Sequence, residues 1–145
     1  MPIMQSRIKK IRTKTKKVKK PKAHTQGYWK RQLDPIMSKL VREKGFCERC
    51  GRQNGVMNWS HVIGRSNLTL RWDIMNALCL CYRCHLYFWH QEPIQAAIWF
   101  HSKFPERLVY LNKAKDILLN RTEEDYKELK EWIKNKDLNR LHIDL

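Results

Sequence analysis

The sequence predicts an α+β fold, a small metal-braced core flanked by helices and led by a basic arm. Three observations predict it. Two C-x-x-C pairs, Cys47/Cys50 and Cys81/Cys84, stand with 30 residues between them. Between the pairs the apolar residues alternate as in short strands, whereas outside them they recur at helical spacing. The first acidic residue is Asp34, so residues 1–33 carry 12 Lys or Arg and no acid. The rest of the 145 residues carries 18 bases against 14 acids. The net charge of +16 is therefore concentrated in an arm on a mildly basic body, which suits a polyanion partner.

Taken in order, residues 1–27 hold Lys9, Lys10, Arg12, Lys14, Lys16, Lys17, Lys19 and Lys20 with almost nothing apolar to bury. Such a run cannot offset its ordering entropy alone. It reads as a solubilising tail or, better, as an arm that contacts nucleic-acid phosphates with salt-sensitive affinity. A helix is expected within 28–45, with Asp34 as its cap, Pro35 in the first turn, an apolar stripe of Ile36, Met37, Leu40 and Val41, and Gly45 as its stop.

The segment 46–92 is the expected core. Each C-x-x-C sets two thiolates on one turn, and two turns from distant points close a tetrahedron around zinc. Cys47, Cys50, Cys81 and Cys84 are the ligands expected for one structural Zn²⁺, and Cys79 is left over as a buried thiol. Paired redox thiols are the competing reading, but no βαβ pattern surrounds them. Strands are expected at 56–63 and 77–80, a polar loop over 64–73, and a helix from Cys84 that Pro93 interrupts or restarts. The remaining 93–145 should be helical. Ile94, Ala97, Ile98 and Phe104 mark a first amphipathic segment. Leu108, Leu111, Ile117 and Leu118 mark a helix over 106–119, and Thr122 caps another through Tyr126, Leu129, Trp132 and Ile133. Beyond Arg121 stand 7 acids and 5 bases, so this end is expected to pack on the core or on a partner.

Inside the clamp, His61 is followed 15 positions later by Asn76 and after 9 more by His85, with His90 just beyond. A neutral imidazole can activate water and a divalent ion can neutralise a scissile phosphate. Asn76 can orient the histidine or bind metal through its carbonyl. Arg65 and Arg71 read as loop charges or, beside His61, as phosphate clamps.

These residues carry a resemblance. His61 on a strand, Asn76 before the next, His85 on the following helix and the Cys81/Cys84 turn resemble the HNH, or ββα-metal, endonuclease motif. The wording from Ser60-His61 through Arg65, Asn67, Arg71 and Asp73 to Asn76 is similar to phage recombination endonucleases of the NinG/Rap type. The resemblance spans about residues 46–90, a third of the chain. It implies a DNA endonuclease with His61 as general base, Asn76 as orienting residue or metal ligand, and His85 on a catalytic Mg²⁺ or Mn²⁺. It also implies a role in recombination or branched-DNA processing in the cytoplasm of a bacterial or phage-infected cell. Two positions depart from the pattern: Ser60 stands where many members carry a metal ligand, and His90 follows His85 by five residues rather than four. On a regular helix that fifth residue turns away, so His90 reaches a metal only if the helix is distorted. The competing classes are a non-catalytic zinc module that binds DNA or RNA, and a subunit of a larger phage assembly. No apolar run reaches the length of a bilayer span, so no membrane is expected as a partner.

Overall fold

The computed structural model describes residues 22–145. The arm residues Lys9, Lys10, Arg12, Lys14, Lys16, Lys17, Lys19 and Lys20 lie outside them. The described chain is α+β, a two-stranded antiparallel sheet among helices.

The first helix, α1, spans Gln26–Arg42, and Thr25 caps it by accepting a hydrogen bond from the Tyr28 amide. It therefore starts well before the expected cap, and Pro35 lies inside it. Burial explains the difference. Trp29, Leu33, Met37 and Val41 recur every fourth residue and all are buried, so tertiary packing extends the helix through the proline. Proline leaves the Arg31 carbonyl without a helical partner, and Arg31 is exposed, where water can take it. Asp34 is thus freed from capping for another task.

Strand β1 (Met57–His61) pairs with β2 (Ala77–Cys81) in register from Met57 opposite Cys81 to His61 opposite Ala77. Both are close to expectation, although Val56 is exposed and Ile63 leaves the ladder. Every residue of β2 is buried. Its far edge is covered by Glu48, whose amide donates to the Cys79 carbonyl at 2.8 Å and whose carboxylate accepts from the Cys79 amide at 2.7 Å. The loop over 64–73 is not the polar surface loop expected. Thr69, Leu70, Arg71, Trp72 and Asp73 are buried, because Arg121 donates to the Leu68 and Thr69 carbonyls and Leu70 and Trp72 enter the core.

After Arg83 the chain forms a seven-residue π-helix, Cys84–His90. Pro93 then starts α2 (Pro93–Lys103), as expected of a residue with no amide to donate. The buried face of α2 is Ala96 and Phe100, not the expected Ile94, Ala97 and Ile98, which are exposed. Helix α3 (Pro105–Ala114) ends five residues before the expected 119, leaving Leu118 exposed. Arg107 on α3 donates to the Met75 and Ala77 carbonyls, tying α3 to the entry of β2. Helix α4 (Glu123–Lys134) carries the expected Thr122 cap, closed by Asp125 into a capping box. It packs on α1, with Tyr126 stacked on Trp29 at 5.2 Å between ring centroids. One cluster of buried side chains runs from Trp29 through both strands to Leu141. Among the described residues no helix is long and apolar enough to cross a membrane.

Leu33 is fully buried where α1 meets this cluster. Leu33→Ala should lower the unfolding free energy by about 2–5 kcal/mol, read from the denaturant midpoint.

Candidate metal and nuclease site

Four thiols meet at one end of the ladder. The Sγ atoms of Cys47, Cys50, Cys81 and Cys84 all lie within 4.8 Å of one another, and Cys50 and Cys81 are 3.8 Å apart. Tetrahedral geometry with Zn–S bonds of about 2.3 Å requires sulfurs about 3.8 Å apart, so the cluster fits a structural zinc. The turn at Cys47 is closed by its amide donating to the Arg52 carbonyl and by the Gly51 amide donating to the Cys47 carbonyl; Gly51 has φ of +73°. Glycine reaches that conformation without cost, which explains its place after the second cysteine. Burial, with hydrogen bonds from the neighbouring thiols, pushes the Cys84 thiol up to about 12, against a contact from Arg49. Four thiols this close cannot ionise together without a cation. Cys79, two residues before Cys81 along β2, is fully buried and stands outside the cluster, its thiol pushed up to about 11 by burial and by Glu48.

The other end of the ladder holds His61. Its Nε2 lies 3.1 Å from the Arg71 carbonyl oxygen. A carbonyl only accepts, so Nε2 carries the proton and the lone pair of the neutral ring is on Nδ1. Trp59 packs against the ring at 4.3 Å between centroids, and Trp89 Nε1 donates to the His61 carbonyl at 3.1 Å. Burial, helped by the charges of Arg71 and Arg65, lowers the His61 pKa from 6.5 to about 4. The ring is therefore a neutral base throughout the physiological range.

Asn76 is fully buried, and each polar atom of its side chain is used. Its Oδ1 accepts from the Ile63 amide at 2.6 Å, and its Nδ2 donates to the carbonyls of Ile63 at 2.9 Å and Leu70 at 3.0 Å. It staples both ends of the loop that follows β1. Of the two expected roles, orienting and metal-binding, this geometry fits the first, because the side chain is fully buried and engaged by the loop backbone.

His85 and His90 meet, with their Nε2 atoms 2.9 Å apart. A π-helix bonds each residue to the fifth one on, so the fifth side chain returns to the same side. The distortion that His90 needed is thus the helix type rather than Pro93, which lies beyond the π-helix. Burial, and next the charge of His90, lowers the His85 pKa. Ser60, ahead of His61, is buried with its hydroxyl unpartnered.

His61, His85 and His90 line a single cleft of about 660 Å³ together with Arg65, Arg71 and, from α1, Asp34, Ser38 and Arg42. Arg65 and Arg42 are exposed. Arg71 is not free to clamp a phosphate: its Nε and Nη2 donate to Asp34 at 3.0 and 2.6 Å, and its Nη1 donates to the Arg65 carbonyl at 2.6 Å. Sequence reasoning missed the contribution of α1. The signal was present, because residues 34, 38 and 42 repeat every fourth position beside the buried stripe 33, 37 and 41. Asp34 is the only carboxylate lining the cleft, and Arg71 and Trp72 Nε1 already occupy it. Two smaller openings, beneath α4 and on α2, are lined by none of these three histidines.

Comparison of the chain with models of known protein families, with curated proteins and with solved structures finds no match.

The depressed His61 pKa carries a sign. Between about 4 and 6.5 the unfolded chain binds a proton that folded His61 refuses, so its contribution to stability is full above 6.5 and fades as pH falls toward 4. His61→Gln should flatten the pH dependence of the unfolding free energy across that window, measured by denaturant titration at successive pH values. The thiol cluster predicts one zinc per chain by elemental analysis, lost together with cooperative unfolding in Cys81→Ser.

Proposed function

We propose that the chain is a metal-dependent DNA endonuclease of the HNH type, hydrolysing phosphodiester bonds with His61 as general base. The observation that carries this reading is the shared cleft. It holds a neutral imidazole whose Nδ1 lone pair is left for a proton, an imidazole pair on the next helix, and two exposed arginines at the rim. In this reading His61 takes a proton from the attacking water through Nδ1, and its Nε2–H on the Arg71 carbonyl keeps the ring in that tautomer. Arg65 and Arg42 hold the phosphates on either side of the scissile bond.

His85 and His90 are the residues that would hold the catalytic ion, which would supply positive charge at the scissile phosphate. Both offered donors are nitrogen, and the cleft has no free carboxylate. Imidazole suits later first-row ions, whereas Mg²⁺ prefers oxygen ligands and water. Of the two ions the family resemblance implies, Mg²⁺ or Mn²⁺, the second is the better fit, held with several waters. The thiol cluster braces the scaffold and takes no part in the chemistry.

The basic run at residues 9–20 adds sequence-independent affinity for the DNA backbone. RNA offers the same phosphates and is the alternative substrate. The resemblance to recombination endonucleases extends the proposal to branched DNA, in the cytoplasm of a bacterial or phage-infected cell. Ser60 in place of a ligand and the absence of a free carboxylate favour a second reading, a zinc-braced module that binds nucleic acid without cutting it, alone or in a larger phage assembly.

Cleavage of supercoiled plasmid and of a four-way DNA junction distinguishes the two. His61→Ala should slow cutting by about 10²–10⁴-fold while zinc content and DNA binding stay near wild type; cutting at the wild-type rate sinks the mechanism. Arg65→Ala should weaken binding on all sequences alike and lower the salt slope of log K by about 1.

A further inference from the structure

One wall of the cleft is α1, and one residue of it is tied to His61. Asp34 Oδ1 accepts from Arg71 Nε at 3.0 Å and from Trp72 Nε1 at 2.9 Å, and its Oδ2 accepts from Arg71 Nη2 at 2.6 Å. The third guanidinium nitrogen of Arg71 donates to the Arg65 carbonyl at 2.6 Å. Every nitrogen of the planar group is engaged, so Arg71 cannot rotate without breaking several bonds at once. The same residue's carbonyl oxygen accepts from His61 Nε2 at 3.1 Å.

We infer that Asp34 is a positioning residue which, through the fork it makes with Arg71, fixes the orientation of the His61 ring and the nitrogen that carries its proton. The inference deepens the nuclease reading and rests on it for the kinetic consequence, but its consequence for the ring can be read without any cleavage.

Residues 64–73 follow the strand that carries His61, and the Arg71 carbonyl is where the loop returns to the ring. Asn76 anchors the loop at Ile63 and Leu70, Leu70 and Trp72 are packed in the core, and the fork with Asp34 holds the Arg71 side chain between them. The Arg71 side chain is 10% exposed and that of Asp34 is 32% exposed. An ion pair with one partner buried and the other partly exposed gives up part of its attraction to desolvation and is a modest source of stability. It is a good device for geometry, since a bidentate fork admits one arrangement. If the carbonyl shifts, Nε2 loses its acceptor and the neutral ring can hold its proton on Nδ1 instead, where it can no longer accept one from water. The anchor is supplied by α1, outside the strand–loop–strand unit that carries His61 and Asn76.

The test compares wild type with Asp34→Asn and with the double variant Asp34→Leu/Arg71→Met. The double variant removes both charges together and so leaves no stranded ion. Two readouts are taken: nitrogen NMR of the imidazole at neutral pH, with the His61 signals assigned by their loss in His61→Gln, and steady-state cleavage of a duplex oligonucleotide with Mn²⁺. Wild type should show a single tautomer with the proton on Nε2, and each folded variant a mixture. In the variants kcat should fall about tenfold to a hundredfold with KM nearly unchanged, because substrate still binds but the base is misoriented. A residue that only stabilised α1 would change the melting temperature and leave the tautomer alone. A wild-type ring protonated on Nδ1, or the wild-type signature kept in either folded variant, overturns the inference. A wild-type chain that cuts no substrate overturns the nuclease reading instead, and the tautomer comparison still decides the role of Asp34.

Discussion

The ladder between Met57–His61 and Ala77–Cys81 is the constraint on which the rest of the structure depends. Its register sets Met57 opposite Cys81 at one end and His61 opposite Ala77 at the other. The first end leads into the thiol cluster and the second into the histidine and Asn76. Because strand side chains alternate with a period of two, a slip of one residue would turn His61 away from the cleft and Cys81 away from its partner thiols. A two-stranded ribbon is marginal in water by itself. Here both ends are fastened, by four sulfurs at one and by the Asn76 staple at the other, while β2 is buried along its length under Glu48 and the helices.

From that ladder the histidine cleft follows in steps. Asn76 closes the loop after β1, and the loop presents the Arg71 carbonyl to His61. The thiol turn at Cys81 and Cys84 launches the next helix directly off β2, which brings His85 and His90 to the same cleft. The π form of that helix is the less obvious part. An α-helix would have sent His90 to another face, so one local change of hydrogen-bonding pattern decides whether the cleft holds two imidazoles or three. Electrostatics then act on this geometry. Half-buried His61 is kept neutral, Asp34 is committed to Arg71, and the exposed Arg42 and Arg65 leave the rim positive.

How legible this was in the sequence depends on the range of the interaction. The C-x-x-C pairs are local and chemically specific, and the structure gathers all four thiols. The strands and the Thr122 cap were legible for the same reason. What escaped was set by tertiary packing. The start of α1 was misread because Pro35 is a strong local signal, whereas the stripe from Trp29 to Val41 that overrides it matters only once a core exists. Arg71 looked like a surface charge because nothing near it in sequence discloses Asp34, 37 residues away. Ile94 and Ile98 fit a helical stripe as well as Ala96 and Phe100 do, and only the neighbours of α2 choose between the two faces. The π-helix leaves no mark in hydrophobic spacing over seven residues.

Metal-dependent turnover by the intact protein is the property that separates a nuclease from a binding module. The decisive measurement is the rate of plasmid nicking as Mn²⁺ is added back to protein that retains its zinc but has been cleared of loosely held ions. The account predicts a rate that rises from none to saturation with Mn²⁺ and a weaker response to Mg²⁺. Tight, salt-sensitive DNA binding with no nicking at any metal concentration would contradict it and leave the cleft as part of a zinc-braced binding surface.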